Sequence, residues 1–361
     1  MKKTGMSCIV LLAILCSGSQ AQEAGIRVFT EHCAGCHGTD GNGGELGPNI
    51  ASRVPLRTDQ ELASVIQQGL IAAGMPAFNN LQENELSALV ARLRDLKPRF
   101  GTTPVHRQVS IVDGSTLSGL VLNQSLYDMQ MLGDDRKLHL LRQQGDGYRT
   151  VTSQTDWTSY NGDMSGSRYS SLQQIDKSNI ATLVPRWMFN FTSNSNLQVT
   201  PVVSDGVMYV TSANEAYALD AGTGREIWRY QRARTRGLIG NAAGGANRGA
   251  AIADDRLFMV TDHAHIIALD KHNGTLLWDT EMADWRQNYN ATGAPLPVGD
   301  LVITGTAGGD EGVRGFVAAH KQETGEEVWR WWSTPLPGEE GSETWQGPGL
   351  AHPGGSTWMT G

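Results

Sequence analysis

Ala218-Leu219-Asp220-Ala221-Gly222-Thr223-Gly224-Arg225-Glu226-Ile227-Trp228 is the stretch on which the fold turns. Its pattern returns from Ala268 to Trp278, with Asp270 and Gly274, and again from Ala319 to Trp329, with Thr324-Gly325. Trp228, Trp278 and Trp329 stand about fifty residues apart, close to the length of a four-stranded propeller blade. Short strand patterns precede the copies at Pro201 to Val203, Val207 to Thr211, Leu257 to Thr261 and Leu301 to Thr304. Turn signals separate them at Asp205-Gly206, Asp254-Asp255 and Gly299-Asp300. A large ring at the same place in each repeat predicts packing between blades, with the Thr-Gly turn shaping the corner that receives it. Three copies cannot close a ring, so the expectation is an incomplete all-β propeller over 153–361, cut from a longer protein.

Upstream the period changes. From Val105 to about Thr152, Val109, Ile111, Leu117, Leu120 and Leu122 alternate with polar residues, and Asp113-Gly114 and Gly133-Asp134 mark turns. A small antiparallel barrel or meander is expected over 99–152. It carries no recognisable chemistry, so a spacer or docking role is its reading. Before it, residues 22–98 read as a small all-α domain. Leu62, Val65 and Ile66, then Leu86, Leu89, Val90 and Leu93, fall at helical spacing. Thr58 is an N-cap candidate for the first of these helices, and Gln82 or Asn84 for the second.

That helical zone holds Cys33-Ala34-Gly35-Cys36-His37. Two thiols three residues apart can add to the two vinyl groups of one porphyrin, and the adjacent imidazole then reaches the iron. A redox dithiol and half of a zinc site are the competing readings. The zinc site needs a further Cys or His pair, and a thioredoxin-like dithiol follows a strand rather than a helical start. Covalent haem c is the expectation, with His37 as proximal ligand. Met75, in Gly74-Met75-Pro76-Ala77-Phe78 on a loop between helices, is the expected sixth ligand; core packing is the ordinary role of a lone methionine.

Lys2 and Lys3, the apolar run Ile9 to Leu15 and Ser19-Gln20-Ala21 have the three parts of a secretory signal over 1–21. The apolar run is too short to span a bilayer. Of Cys8, Cys16, Cys33 and Cys36, only the last two would outlast its removal, which does not suit a disulfide scaffold. The 361 residues carry a formal charge of −8, which argues against nucleic acid or anionic lipid as partner. A periplasmic location and no membrane span are expected.

Two resemblances sharpen these readings. Residues 22–98 resemble class I cytochrome c domains through the Cys-x-x-Cys-His motif, Gly47-Pro48-Asn49-Ile50 and the Met75-Pro76 loop. The third zone resembles the pyrroloquinoline quinone (PQQ) dependent alcohol dehydrogenases, an eight-bladed propeller family. Asp156-Trp157-Thr158-Ser159-Tyr160-Asn161-Gly162-Asp163, Ser167 to Ser170 and Gln174-Ile175-Asp176 look like its entry segment. The three repeats look like its tryptophan-docking motif, with Asn273 in place of Thr in the second. Asn247-Arg248-Gly249, Thr292 to Pro295, Gly308 to Gly315 and Gly354 to Trp358 resemble its cofactor segments, in the family order.

The resemblance implies that Arg248 binds a PQQ carboxylate, as suits a guanidinium fork. Thr292 and Ser356 would donate hydroxyl hydrogen bonds, Gly308 and Gly309 would let backbone amides approach, and Trp358 would form a flat floor. Gln198 stands where the family often has Glu. Asp310 stands at a metal-ligand position usually held by Glu, with Glu311 beside it, for Ca²⁺ or a lanthanide. Ala242-Ala243 replace the adjacent cysteines of methanol-oxidising members. The family's catalytic aspartate and its asparagine metal ligand are expected beyond Gly361.

Together these imply a quinohaemoprotein that oxidises a small alcohol and passes electrons through haem c to an external acceptor such as a soluble cytochrome or an oxidase. Two other classes compete: a non-catalytic propeller like outer-membrane assembly factors, and an electron-transfer protein whose propeller only recruits a partner. Arg248 and Gly354 to Trp358 discriminate, since a bare scaffold has no use for them.

Overall fold

The computed structural model describes residues 22–44, 46–98, 104–125, 127–151, 155–163, 165–191, 196–345, 349–350 and 352–360. The segment read as a secretory signal, with Cys8 and Cys16, lies outside the described residues.

The N-terminal zone is helical. Helix α1 covers residues 22–32, and the short α2 (Ala34–His37) follows at once. Then come α3 (Asp59–Gln68) and α4 (Glu83–Asp95). Helices α3 and α4 both begin with reciprocal capping. The Thr58 and Gln82 side chains receive the amides of Glu61 and Glu85, whose carboxylates accept from the cap backbones. Gln82, not Asn84, is therefore the cap of α4. Val28, Phe29, Leu62, Ile66, Leu86, Leu89, Val90 and Leu93 pack as one core. Gly25 allows α1 to cross α4 closely, because a Cβ there would stand 2.3 Å from the Ala88 carbonyl oxygen.

Next is a five-stranded antiparallel meander: β1 (Val105–Ser110), β2 (Thr116–Gln124), β3 (Asp128–Gly133), β4 (Leu138–Gln144) and β5 (Gly147–Thr150). Its ends draw together where the Val112 amide donates to the Tyr148 carbonyl at 2.9 Å. One face buries Val121, Met129, Met131 and Leu141 beside Val109, Ile111 and Leu117. The simple alternation expected of Leu117, Leu120 and Leu122 does not hold, because the register slips between Val121 and Asn123. Leu122 instead joins Leu138 and Leu140 against the propeller core. The module is thus buried on two sides, and a docked element is what the structure contains.

Three antiparallel four-stranded blades follow the segment 155–191 and the short β6 (Leu197–Thr200). Blade one is β7 (Val202–Ser204), β8 (Val207–Ser212), β9 (Glu215–Asp220) and β10 (Glu226–Gln231). After the one-turn helix α5 (Gly240–Ala243), strand β11 (Asn247–Gly249) pairs in parallel with β6. Blade two is β12 (Ala251–Ala253), β13 (Arg256–Val260), β14 (His265–Asp270) and β15 (Leu276–Glu281). Blade three is β16 (Leu296–Val298), β17 (Leu301–Gly305), β18 (Phe316–Lys321) and β19 (Glu327–Trp332).

The tryptophans join neighbouring blades as the repeats suggested. Trp228 donates its indole N–H to the Lys271 carbonyl, and Trp278 to that of Gln322, each at 2.9 Å. Each ring covers the glycine of the turn it meets. A Cβ on Gly274 or Gly325 would lie 2.6 Å from the ring, and both glycines hold φ of +75°. A fourth member, Trp187, was absent from the sequence pattern. It donates to the Ala221 carbonyl at 2.9 Å and lies on Gly224. No Thr-Gly turn precedes it in the chain, so the repeat could not flag it. Trp329 is 41% exposed.

The meander and the helical zone both dock at the Thr-Gly end of blade one. Arg142 donates to the fully buried Asp220 at 2.7 Å, Gln130 donates to it at 2.9 Å, and Asn123 donates to the Glu226 carbonyl at 2.6 Å. Arg225, 2% exposed, ties all three zones together. Its guanidinium lies 3.6 Å from Asp40 of the helical zone and 3.4 Å from Asp128 of the meander, and it donates to Asn123 at 3.0 Å.

Candidate redox sites

The first site is a cleft in the helical zone. Its walls include Cys33, Cys36, His37, Gly47, Pro48, Gly74, Met75, Pro76 and Phe78, so the structure brings together the four expected haem-binding side chains. His37 donates from Nδ1 to the Pro48 carbonyl at 2.8 Å. This leaves Nε2 as the free lone pair, the tautomer a metal requires. Burial lowers the pKa of His37, against an opposing pull from the Pro48 carbonyl, and favours the neutral ring. Gly47 makes room for that ring: a Cβ there would stand 2.8 Å from Nδ1. The Gly47-Pro48 pair therefore both admits and orients the imidazole.

Cys33 and Cys36 are not joined in a disulfide. Burial, helped by the neighbouring Cys36, pushes the Cys33 thiol up to about 11. A working redox dithiol needs a depressed thiol pKa, so this environment opposes the thioredoxin-like reading. Met75 is presented by a tight loop. Leu70 and Met75 exchange backbone hydrogen bonds at 3.0 and 3.2 Å, and Gly74 turns the chain with φ of +82°. Vinyl-reactive thiols, an oriented imidazole and a thioether on the facing loop together fit a covalent haem.

The second site lies among loops at the other end of the blades. Arg248, in β11, donates from Nη1 to Thr292 Oγ1 at 2.5 Å, and its amide donates to the Thr292 carbonyl at 2.9 Å. Its guanidinium lies 4.2 Å from the Trp358 ring centre. Among the described residues no carboxylate pairs with it, and partial desolvation lowers its pKa. A part-buried cation without a counter-charge fits an anionic ligand. β11 pairs Asn247 with Leu197 and Gly249 with Thr200, and the register shifts between them, so exposed Gln198 lies in the stretch facing Arg248.

Ser356 and Gly309 meet across blade three, where a Cβ on Gly309 would be 2.5 Å from Ser356 Oγ. Gly308 holds φ of +109°. The strip carrying Trp358 is fastened to the blades: Thr357 exchanges backbone and side-chain bonds with Thr306 at 2.9 and 3.0 Å, and Thr360 Oγ1 bonds both backbone groups of Ala294. Arg248 thus touches both Thr292 and Trp358, Gly309 touches Ser356, and the strip from Ser356 to Trp358 links the two contacts into one candidate cradle. Trp358 currently carries the guanidinium on its face, so serving as a floor requires Arg248 to move aside.

The metal expectation finds less support in these residues. Asp310 is exposed on a single helical turn (Gly309–Glu311), and Glu311 points at Gly240. Among the described residues no three His, Cys, Asp or Glu side chains converge. Six to eight oxygen ligands are the norm for Ca²⁺, so these residues by themselves do not build that site.

A buried hub that the sequence did not suggest supports the cradle loops. Asp262 accepts from Asn214 Nδ2 at 2.9 Å, Arg234 Nε at 2.8 Å and the Thr235 amide at 3.1 Å. Burial alone would raise its pKa, but these donors and His263 outweigh that and hold it well below the usual carboxylate range. Arg234 then donates to the Ala242 and Ala243 carbonyls at 2.6 and 3.2 Å, fixing the α5 loop.

Comparison with known proteins now bears on both sites. The family model described as "Glucose/ethanol/alcohol dehydrogenase, beta-propeller domain" matches residues 157–360, more than half of the chain. The chain belongs to that family. Residues 20–91 match the model of "Cytochrome C oxidase, cbb3-type, subunit III". Quinohemoprotein alcohol dehydrogenase ADH IIB of Pseudomonas putida is 36% identical over 208 residues, 53% of this chain and 29% of the relative. The quinohemoprotein alcohol dehydrogenase of Comamonas testosteroni is 36% identical over 199 residues, 54% of this chain and 28% of the relative. Among solved structures, ADHIIG of Pseudomonas putida has a TM-score of 0.52 at 33% identity, covering 57% of this chain and 32% of that one. A europium-containing methanol dehydrogenase has a TM-score of 0.50 at 32% identity, covering 56% and 39%. The chain spans less than a third of the length of these two curated relatives.

The two sites sit at opposite strand ends. Cradle residues occupy the loops between second and third strands and the loops between blades, whereas the cleft abuts the Gly224 turn between the third and fourth strands of blade one. The six residues of β9 run from one strand end of blade one to the other, about 20 Å at the usual strand rise.

Proposed function

We propose that this chain is the haem-bearing and cofactor-cradling part of a periplasmic quinohaemoprotein dehydrogenase that oxidises a small alcohol. The observation that carries the reading is the Arg248–Thr292–Trp358 cluster, a cation without a carboxylate partner among the described residues, in a chain that also holds Cys33, Cys36, His37 and Met75 in one cleft. When bound, PQQ supplies a two-electron acceptor and haem c a one-electron carrier. Arg248 binds a carboxylate of the quinone, Thr292 and Ser356 orient it through hydroxyl hydrogen bonds, and the backbone at Gly308 and Gly309 allows close approach. Gln198 contributes a neutral contact where a charged one is usual. Cys33 and Cys36 hold the porphyrin, His37 is kept neutral and aimed by Pro48, and Met75 favours the ferrous state. Asp310 is offered as one oxygen ligand to a calcium or lanthanide ion, with the remaining ligands from elsewhere. The final acceptor is an external cytochrome or oxidase.

The test uses the gene product that carries this chain, made in a host that attaches haem and loaded with PQQ and Ca²⁺ or a lanthanide. Alcohol should reduce an artificial dye and bleach the ferric haem spectrum. Covalent haem and bound PQQ with no turnover of any alcohol would overturn the reading.

A further inference from the structure

We propose that Met188, carried by the propeller, is a wall of the haem pocket and seals its mouth against water. The inference rests on the haem reading of the cleft.

Met188 lies in residues 183–191, which belong to no helix or strand. Its neighbours are committed to the blade. Trp187 donates to the Ala221 carbonyl at 2.9 Å, and the Phe189 ring lies 5.1 Å from Tyr217 and 5.6 Å from Phe191, against Val210 and Leu219. Between these two blade-bound rings, Met188 is the residue that reaches away from blade one. It faces the cleft, lining it together with Cys33, Cys36, His37 and Met75. Its methyl carbon lies 3.9 Å from where a Cβ on Gly74 would stand, one residue before the thioether loop. Nearby, Arg225 lies 3.6 Å from Asp40, and Met188 also lines a second, smaller cleft with Gly43, Pro48 and Gly224.

An unbranched thioether is suited to filling an irregular gap beside a flat ring. Burial and local dielectric are levers on haem potential, because water stabilises the more highly charged ferric state. Met188 therefore couples the docking of the propeller to the redox poise of a haem attached to another zone.

The experiment compares Met188→Ala, Met188→Gln and Met188→Leu in the full chain with haem attached. Met188 is 41% exposed, so these changes leave the core intact, and haem content checks this. Ala and Gln should lower the ferrous-to-ferric ratio at fixed poise about threefold, roughly 30 mV for a one-electron couple at 59 mV per tenfold. Both should also speed imidazole binding to the ferric haem several-fold, while Leu restores both properties. Wild-type values in all three variants would overturn the proposal. So would Leu behaving like Ala, since the sulfur rather than apolar cover would then matter. A wild-type chain that never becomes covalently coloured would instead overturn the haem reading itself.

Discussion

The haem cleft and the quinone cradle are built on opposite principles. Cys33, Cys36 and His37 lie within five consecutive residues, and a single glycine-proline pair orients the imidazole. The cradle takes Arg248 from one inter-blade strand, Thr292 from another connection and Ser356 and Trp358 from a strip fastened to blade three. Haem attachment at the local site needs only its own helices to be correct. The distributed site exists only if the blades stack in register, and the Trp187, Trp228 and Trp278 contacts enforce that register. Damage to stacking should therefore reach the cradle first and leave haem attachment untouched.

The sharpest way to separate the two is Cys36→Ser together with Cys33→Ser. Covalent haem should vanish completely, read as loss of haem staining on a denaturing gel, while PQQ binding by the loaded protein persists. Trp228→Ala attacks the other side of the comparison. Removing a ring that is 4% exposed should cost about 3–5 kcal/mol in thermal or denaturant unfolding and loosen the cradle, with haem attachment unchanged. If haem attachment failed equally, the independence of the two sites would be wrong. Arg248→Ala should weaken PQQ binding about 10- to 100-fold by equilibrium titration, the worth of a charge-assisted hydrogen bond, without altering the haem spectrum. The smallest effect belongs to Asp262. Its carboxyl is held below its unfolded value near ~3.9, so the folded state binds fewer protons in the acid range. Its stabilisation is present above about pH 4 and is lost as the pH falls. Asp262→Asn should flatten the acid limb of unfolding followed by tyrosine and tryptophan fluorescence.

What could be read in advance follows the same division. The capping of α3, the Cys-x-x-Cys-His cleft and the three-blade repeat depend on neighbours in sequence, and the pattern announced them. Phase and distance concealed the rest. A slipped register near Leu122 redirected one face of the meander onto the propeller, and no periodicity contains a bulge in advance. Trp187 belongs to the stacking series but lacks the turn that marks its fellows. Asp262 resembled any turn acid, because the residues that make it a hub come from Asn214, 48 positions earlier, and from Arg234. Arg248 and Trp358 were each expected to serve a ligand, but their mutual stacking is a tertiary fact. Asp310 lies exposed on its turn, and among the described residues no cluster of metal-type side chains forms around it.

The placement of cleft and cradle at opposite strand ends has a consequence for traffic. Under the proposed function, an alcohol would approach at the cradle loops, and a protein collecting single electrons would dock beside the haem cleft. Neither visitor blocks the other's doorway, so substrate and acceptor should saturate the protein independently, without mutual inhibition.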